Sequence, residues 1–226
     1  MLDLWYKSPM RILLVTLVLL ATLPAYGSII FFNGVSSISP PASIVGTTSD
    51  TTIFEFAEQQ GVVLGSNLTV GFTMPGTYAC CAGLPGGTVP AGDDVNSYVL
   101  YAAPTTNGTG GVGRDFKGSV TFSPGEHVVG VIAYYKNIFV TDSLFGAPGT
   151  TYPGFNVNTA GAEGDTIILG ANLQAVFVDF RASVGNIDMI RILTETTGTP
   201  EPAEFLLIGS GLVALGFCKR RSLFGR

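Results

Sequence analysis

The chain is short of charge. Asp, Glu, Lys and Arg make up 12% of its 226 residues, about half the usual share. Basic residues are scarcest in the middle. Six of the eleven, Lys7, Arg11, Lys219, Arg220, Arg221 and Arg226, lie in the terminal segments. Between them stand only Arg114, Lys117, Lys136, Arg181 and Arg191 against thirteen Asp and Glu, a formal charge of −8. Duplex binding needs a basic patch that displaces counterions, so nucleic acid is not expected as a partner. Histidine occurs once, as His127. A Ser/His/Asp site would have to use it as its base, yet it opens an apolar strand after Ser123-Pro124-Gly125-Glu126, and no Gly-x-Ser-x-Gly elbow occurs. It reads as a strand-edge residue, and no catalytic residue is assigned. Cysteines number three. Cys218 lies in the C-terminal tail, while Cys80 and Cys81 are adjacent, so neither a disulfide framework nor a four-cysteine zinc site is available. The pair is either a strained vicinal disulfide or intermolecular bridge, or two small loop thiols.

Apolar residues are plentiful. At 46% they suffice to fill a core. With 30 glycines and abundant Thr, Ser, Val and Phe, the composition points to an extracellular all-β domain. Residues 1–27 read as a secretory signal peptide. Lys7 and Arg11 form the positive region, Ile12–Leu20 the apolar stretch, and Ala25-Tyr26-Gly27 the small residues that precede cleavage before Ser28. Passage through the Sec export machinery follows.

From residue 28 the pattern turns to short β runs. Ile29–Phe32, Thr51–Ala57 and Gly61–Leu64 are expected strands, with Ser36–Asp50 a loop. Asn67–Met74 alternates cleanly, with Leu68, Val70, Phe72 and Met74 on one face, and predicts a half-buried strand. Pro75–Asp94 reads as a long loop, followed by a strand at Val95–Ala103. In Phe116–Phe122, residues Phe116, Gly118, Val120 and Phe122 point inward. Val128–Tyr135 is almost continuously apolar and predicts a central strand, with Ile138–Thr141 as a short continuation. Asp142–Glu163 reads as irregular. Asp165–Leu169 and Asn172–Phe180 predict a hairpin around Gly170-Ala171, and Ile187–Leu193 the last strand before a linker at Thr194–Pro202. The expected fold is an antiparallel two-sheet β-sandwich of jelly-roll type over residues 28–197, flanked by an N-terminal signal helix and a C-terminal transmembrane helix.

Residues 198–226 have three parts. Pro200-Glu201-Pro202 is an accessible, extended segment, because proline can join no ladder and biases its neighbours. The apolar run from Phe205 to Cys218 is a helix candidate of about 14 residues, roughly 21 Å long at 1.5 Å per residue. That is short of the ~30 Å hydrocarbon core, so it spans only with thinning and snorkelling. Lys219, Arg220 and Arg221 hold the cytoplasmic side. This order of Pro200, Glu201 and Pro202, a helix over Phe205–Phe217, and Lys219-Arg220-Arg221 resembles the PEP-CTERM sorting signal of exopolysaccharide-producing Gram-negative bacteria. The resemblance implies recognition by an exosortase, a membrane-embedded cysteine transpeptidase, with cleavage near the Pro-Glu-Pro. It implies an inner-membrane-anchored precursor and a final place in the cell envelope, on the outer surface or in the extracellular matrix with exopolysaccharide. The stretches Asn96–Tyr101, Gly118–Phe122, Val128–Ile132, Asp142–Pro153 and Asp188–Leu193 also resemble, in that order, segments of other secreted bacterial proteins with such tails. That likeness implies one exported domain and carries no activity.

Two chemistries remain open. Calcium takes six to eight oxygens, often from loop carboxylates and carbonyls. Asp93, Asp94 and Asn96 cluster at one loop end, Asp142 opens the stretch to Tyr152, and Glu163 with Asp165 closes it. These are either ligands of a calcium-dependent, lectin-like module or solvated acidic turns. Glycoside hydrolysis needs two carboxylates about 5–9 Å apart across a cleft, which spacing along the chain does not reveal. Asp142–Pro153, with Gly146, Pro148 and Gly149 near Tyr152, is the stretch expected to carry function or a conformational lock.

Overall fold

The computed structural model describes residues 28–79, 84–154 and 164–196. The expected signal peptide, Cys80, Cys81, Glu163 and the sorting tail with Pro200, Glu201, Pro202, Lys219, Arg220 and Arg221 lie outside the described residues. The first strands are β1 (Ile29–Asn33), β2 (Val35–Ser37), β3 (Ile53–Ala57), β4 (Val62–Val63) and β5 (Leu68–Val70). Next come β6 (Gly76–Ala79), β7 (Gly87–Val89), β8 (Asp94–Ala102), β9 (Arg114–Phe122) and β10 (Glu126–Ile132). Helix α1 (Tyr135–Phe145) precedes β11 (Thr166–Leu169), β12 (Ala175–Ala182) and β13 (Asp188–Thr196).

Two sheets carry the fold. The first has the order β1-β9-β12-β11-β6 and the second β10-β13-β8-β3-β2, so β8, β9 and β10 cross from sheet to sheet in turn. The architecture is an all-β sandwich. Its inner faces meet through Leu100 and Tyr98 of β8, Ile190 and Ile192 of β13, Phe116, Val120 and Phe122 of β9, and Val176, Val178 and Phe180 of β12. Phe116, Val120 and Phe122, expected to point inward on β9, are thus in the core. Ladders are antiparallel except between β2 and β3, which run parallel.

The second sheet is covered on its other face as well. Phe56, Val99, Tyr101, Met189 and Leu193 pack there against Ile44, Ile138, Phe145 and Ala147. This outer layer explains why β8 is buried from Val95 to Ala102 and β13 from Asp188 to Thr194. A strand enclosed on both faces needs apolar residues at both parities.

Several expectations are corrected. Ile138–Thr141 is not a strand; it lies inside α1, and Asp142 sits in that helix rather than opening a loop. Ile138, Thr141 and Phe145 are its buried residues, at the three- and four-residue spacings of one helical face. Contact with the second sheet overrides the strand preference of a segment holding Ile138, Val140 and Thr141. β10 ends at Ile132 and is an edge strand, not a central one. Its free side is covered instead: Gly71 donates to the Val131 carbonyl at 2.8 Å, Val131 donates to Phe72 at 3.0 Å, and Val128 donates to Leu173 at 2.7 Å. Asn67–Met74 breaks after Val70, leaving Met74 69% exposed, while Phe72 is buried and stacks on Tyr78 with centroids 3.9 Å apart. Pro75–Asp94 contains β6 and β7, short partners of β11 and β5. β13 runs on to Thr196, past the expected start of the linker.

The β1–β2 turn depends on Gly34. Its φ is +69°, and a Cβ there would lie 2.2 Å from the carbonyl oxygen of Lys117. Gly34→Ala should therefore destabilise the protein by about 2–4 kcal/mol, combining left-handed strain with a backbone clash. Urea denaturation measures this, and an unshifted midpoint would contradict the turn geometry.

Candidate functional site

Arg191 is the largest side chain fully buried in the described residues. It stands at the middle of β13, opposite Val99 of β8 and Ile132 of β10, on the same face as Met189 and Leu193. A guanidinium there loses its water and must regain five acceptors from protein. It does. Nε donates to Glu58 Oε2 at 2.6 Å, and Nη2 donates to Glu58 Oε1 at 2.7 Å and to Asp142 Oδ1 at 2.8 Å. Nη1 donates to the Ile138 carbonyl at 3.0 Å and to Thr141 Oγ1 at 2.5 Å. The rings of Phe145 and Tyr152 lie 5.8 and 5.7 Å from the guanidinium carbon.

The acceptors are braced in turn. Ser97 of β8 donates to Glu58 Oε2 at 2.5 Å. Gln59 ties its backbone to the Phe145 carbonyl at 2.9 Å and its side chain to Gly146 at 3.2 Å. Tyr152 accepts a hydrogen bond from Ala147 at 2.9 Å, closing the loop after α1 over the arginine. Gly146 makes this closure possible, since a Cβ there would meet the Asp142 carbonyl at 2.5 Å. Burial works against the Arg191 charge, but Glu58 outweighs it and holds the pKa above its ordinary value. Burial raises the Asp142 carboxyl against the pull of Arg191, and burial with the nearby Glu58 charge raises the Tyr152 hydroxyl. With every guanidinium N–H engaged, Arg191 has no donor left for a ligand. The arrangement is a brace joining β13, the segment after β3, and α1 with its following loop.

A second polar cluster lies in the sandwich. Glu126 is fully buried. Its Oε1 accepts from Tyr98 at 3.1 Å, from Asn96 at 3.4 Å and, closely, from the Thr194 hydroxyl. Oε2 has no hydrogen-bond partner among the described residues. Burial and the Glu126 charge push the Tyr98 hydroxyl up. Glu55 on β3 is also buried, and burial raises its carboxyl from 4.5 to about 7 despite a hydrogen bond with Ser37.

The candidate ligands of the sequence separate into four places. Asp142 and Tyr152 meet at Arg191. Asn96 belongs to the Glu126 cluster and accepts from Gly61 at 3.0 Å. Asp93 and Asp94 stand at the entrance to β8, where the Asp93 carbonyl takes Leu64 N–H at 2.9 Å. Asp165 accepts from Arg181 N–H at 2.7 Å beside β12. Among the described residues, no group of three or more His, Cys, Asp or Glu side chains is placed to hold a metal ion. His127 lies in β10 opposite Glu195, and its Nδ1 meets no hydrogen-bond partner among the described residues. Arg191, Glu58, Ser97 and Thr141 escaped the sequence reading, although one signal was present: an arginine inside Met189-Ile190-Arg191-Ile192-Leu193 has to find an acid.

No protein-family model, curated protein or solved structure matches this chain.

Two measurements check the polar interior. Glu58→Gln leaves Arg191 charged without its main counterion and should cost about 3–5 kcal/mol; a loss below about 1 kcal/mol in urea denaturation would contradict the brace. Glu55 has the opposite character. Its folded pKa lies above the unfolded one, so its stabilisation is complete below pH 4.5 and is lost as pH rises through about 7. The full loss is about 3 kcal/mol at 1.36 kcal/mol per pKa unit. Glu55→Gln should remove that slope between pH 4.5 and 8.5, and an unchanged slope would show that Glu55 does not titrate in this environment.

Proposed function

We propose that the protein is an exported, non-enzymatic domain of the cell envelope or extracellular matrix, sorted by an exosortase and associated with exopolysaccharide. The observation that carries this reading is the order of parts at the C-terminal end: Pro200-Glu201-Pro202, an apolar run too short to be a comfortable membrane anchor, then Lys219-Arg220-Arg221. With the leader at residues 1–27, it describes a chain passed through the Sec machinery, held briefly in the inner membrane and then released. The jelly-roll kinship and the C-terminal membrane-spanning helix belong to this reading.

The body is in keeping with a scaffold. Its deepest ionic group is consumed by a brace, and the described carboxylates considered as calcium ligands do not converge on one point. A calcium-dependent lectin gains no support from that arrangement.

Intact-mass analysis of the protein recovered from its host should find a chain beginning at Ser28 and lacking Phe205–Arg226. Glu201→Ala should retain the tail and remain with the membrane fraction. A wild-type chain carrying its full C-terminus in the envelope would overturn the sorting.

A further inference from the structure

The two sheets are not equivalent. Among the described residues, the second is covered on both faces, whereas the outer face of the first is uncovered and holds a depression of about 320 Å3 across β1, β9, β12 and β11. That volume is at the lower end of the range for ligand sites, about 300–1,000 Å3. The cause lies in the register. Asn33, Ser119, Phe177 and Ile168 form one row across four strands. The small Ser119, itself buried, forms the floor between larger neighbours, and Gly34, with its positive φ, turns the chain directly beyond Asn33. Phe177 and Ile168 are 46% and 39% exposed in the described structure, so the floor is apolar where it meets water.

The rim is polar and electrically balanced. Lys117 pairs with Asp179 in the adjacent row, and Arg181 lies 3.8 Å from Asp115 in the next. Two cations and two carboxylates cancel, which disfavours an ionic ligand. Asn33, Ser119 and Thr166 add an amide and two hydroxyls that both donate and accept. An open aromatic ring beside uncharged two-way hydrogen-bonding groups matches a sugar ring, which offers a face of C–H groups and an edge of hydroxyls. Four strands at about 4.8 Å spacing give a length of roughly 14 Å, suited to a chain of sugars rather than one.

We infer that the outer face of the first sheet, centred on Phe177 and Ser119, binds an uncharged polysaccharide chain. The site needs no metal. Its physiological ligand rests on the matrix reading given above, but its chemistry does not.

The test is native affinity electrophoresis of the exported protein, purified from its host, through gels containing hydroxyethylcellulose, a β-1,3-glucan or a galactomannan, with alginate as the anionic probe. At least one neutral polymer should retard the wild type. Phe177→Ala should weaken retardation about tenfold, as expected for loss of an aromatic platform. Ser119→Trp, which crowds the depression from its buried floor, should abolish retardation of the fraction that circular dichroism shows to be folded. Lys136→Ala, on α1, should leave it unchanged. Retardation by alginate alone, no retardation by any neutral polymer, or full binding by folded Ser119→Trp would overturn the proposal. Fractionation of host cultures separates the two readings. Wild type and Ser119→Trp found equally in the matrix, with neither retarded in the gel, would leave the sorting intact and remove the sheet-face site. Wild type absent from the matrix yet retarded in the gel would do the reverse.

Discussion

Everything beyond the two-sheet core hangs on one desolvated cation. Arg191 is placed in β13, where the chain is most enclosed, and its planar fork reaches two carboxylates, a hydroxyl and a backbone carbonyl at once. A lysine at this position has three donors and no plane, and would leave acceptors unmet. Buried ion pairs contribute less to net stability than their contacts suggest, because stripping water from both charges costs several kcal/mol per ion. What this one fixes is arrangement. Glu58 follows β3, and Ile138, Thr141 and Asp142 belong to α1, so the arginine reads two distant stretches and sets how the third layer lies on the second sheet.

That third layer accounts for the asymmetry of the molecule. Because α1, the loop beyond it and the segment around Ile44 occupy one face of the second sheet, its inner strands β8 and β13 carry almost no solvent-facing residues. Among the described residues the first sheet has no such cover, and β12 keeps strict alternation, with Val176, Val178 and Phe180 inside and Phe177 and Arg181 outside. Surface chemistry is therefore displayed by one sheet, while the other holds the buried ionic groups.

What the sequence disclosed follows the same division. β9 and β12 were legible because each is half buried, and a half-buried strand writes its orientation as period two. β8 and β13 were legible as apolar runs, yet nothing in them said which side the helix covers. α1 was hidden because Tyr135, Ile138, Phe139, Val140 and Thr141 favour strands, and its burial against the sheet is a long-range fact. β6 and β7 were lost in a stretch rich in Gly and Pro, where three or four residues of ladder leave no periodic trace. At the polar sites, Asp142 and Tyr152 were flagged by an irregular, glycine-marked stretch, and the structure brings both to Arg191. The rest of that set is grouped by nearness in sequence; in the fold Asp93 and Asp94 stay at the entrance to β8, Asn96 turns to Glu126, and Asp165 lies apart beside β12. Glu126 was overlooked because a glutamate after a Ser-Pro-Gly turn reads as solvent-facing; here the turn delivers it into the sandwich.

The last described residue, Thr196, ends β13, which is hydrogen-bonded to β10 on one side and β8 on the other. Among the described residues β1, at the leading end, pairs only with β9. The two ends therefore differ mechanically. Tension entering from the C-terminal side is shared by two ladders and by the arginine rivet in the same strand, whereas a pull from the front meets a single peripheral ladder that can be peeled away.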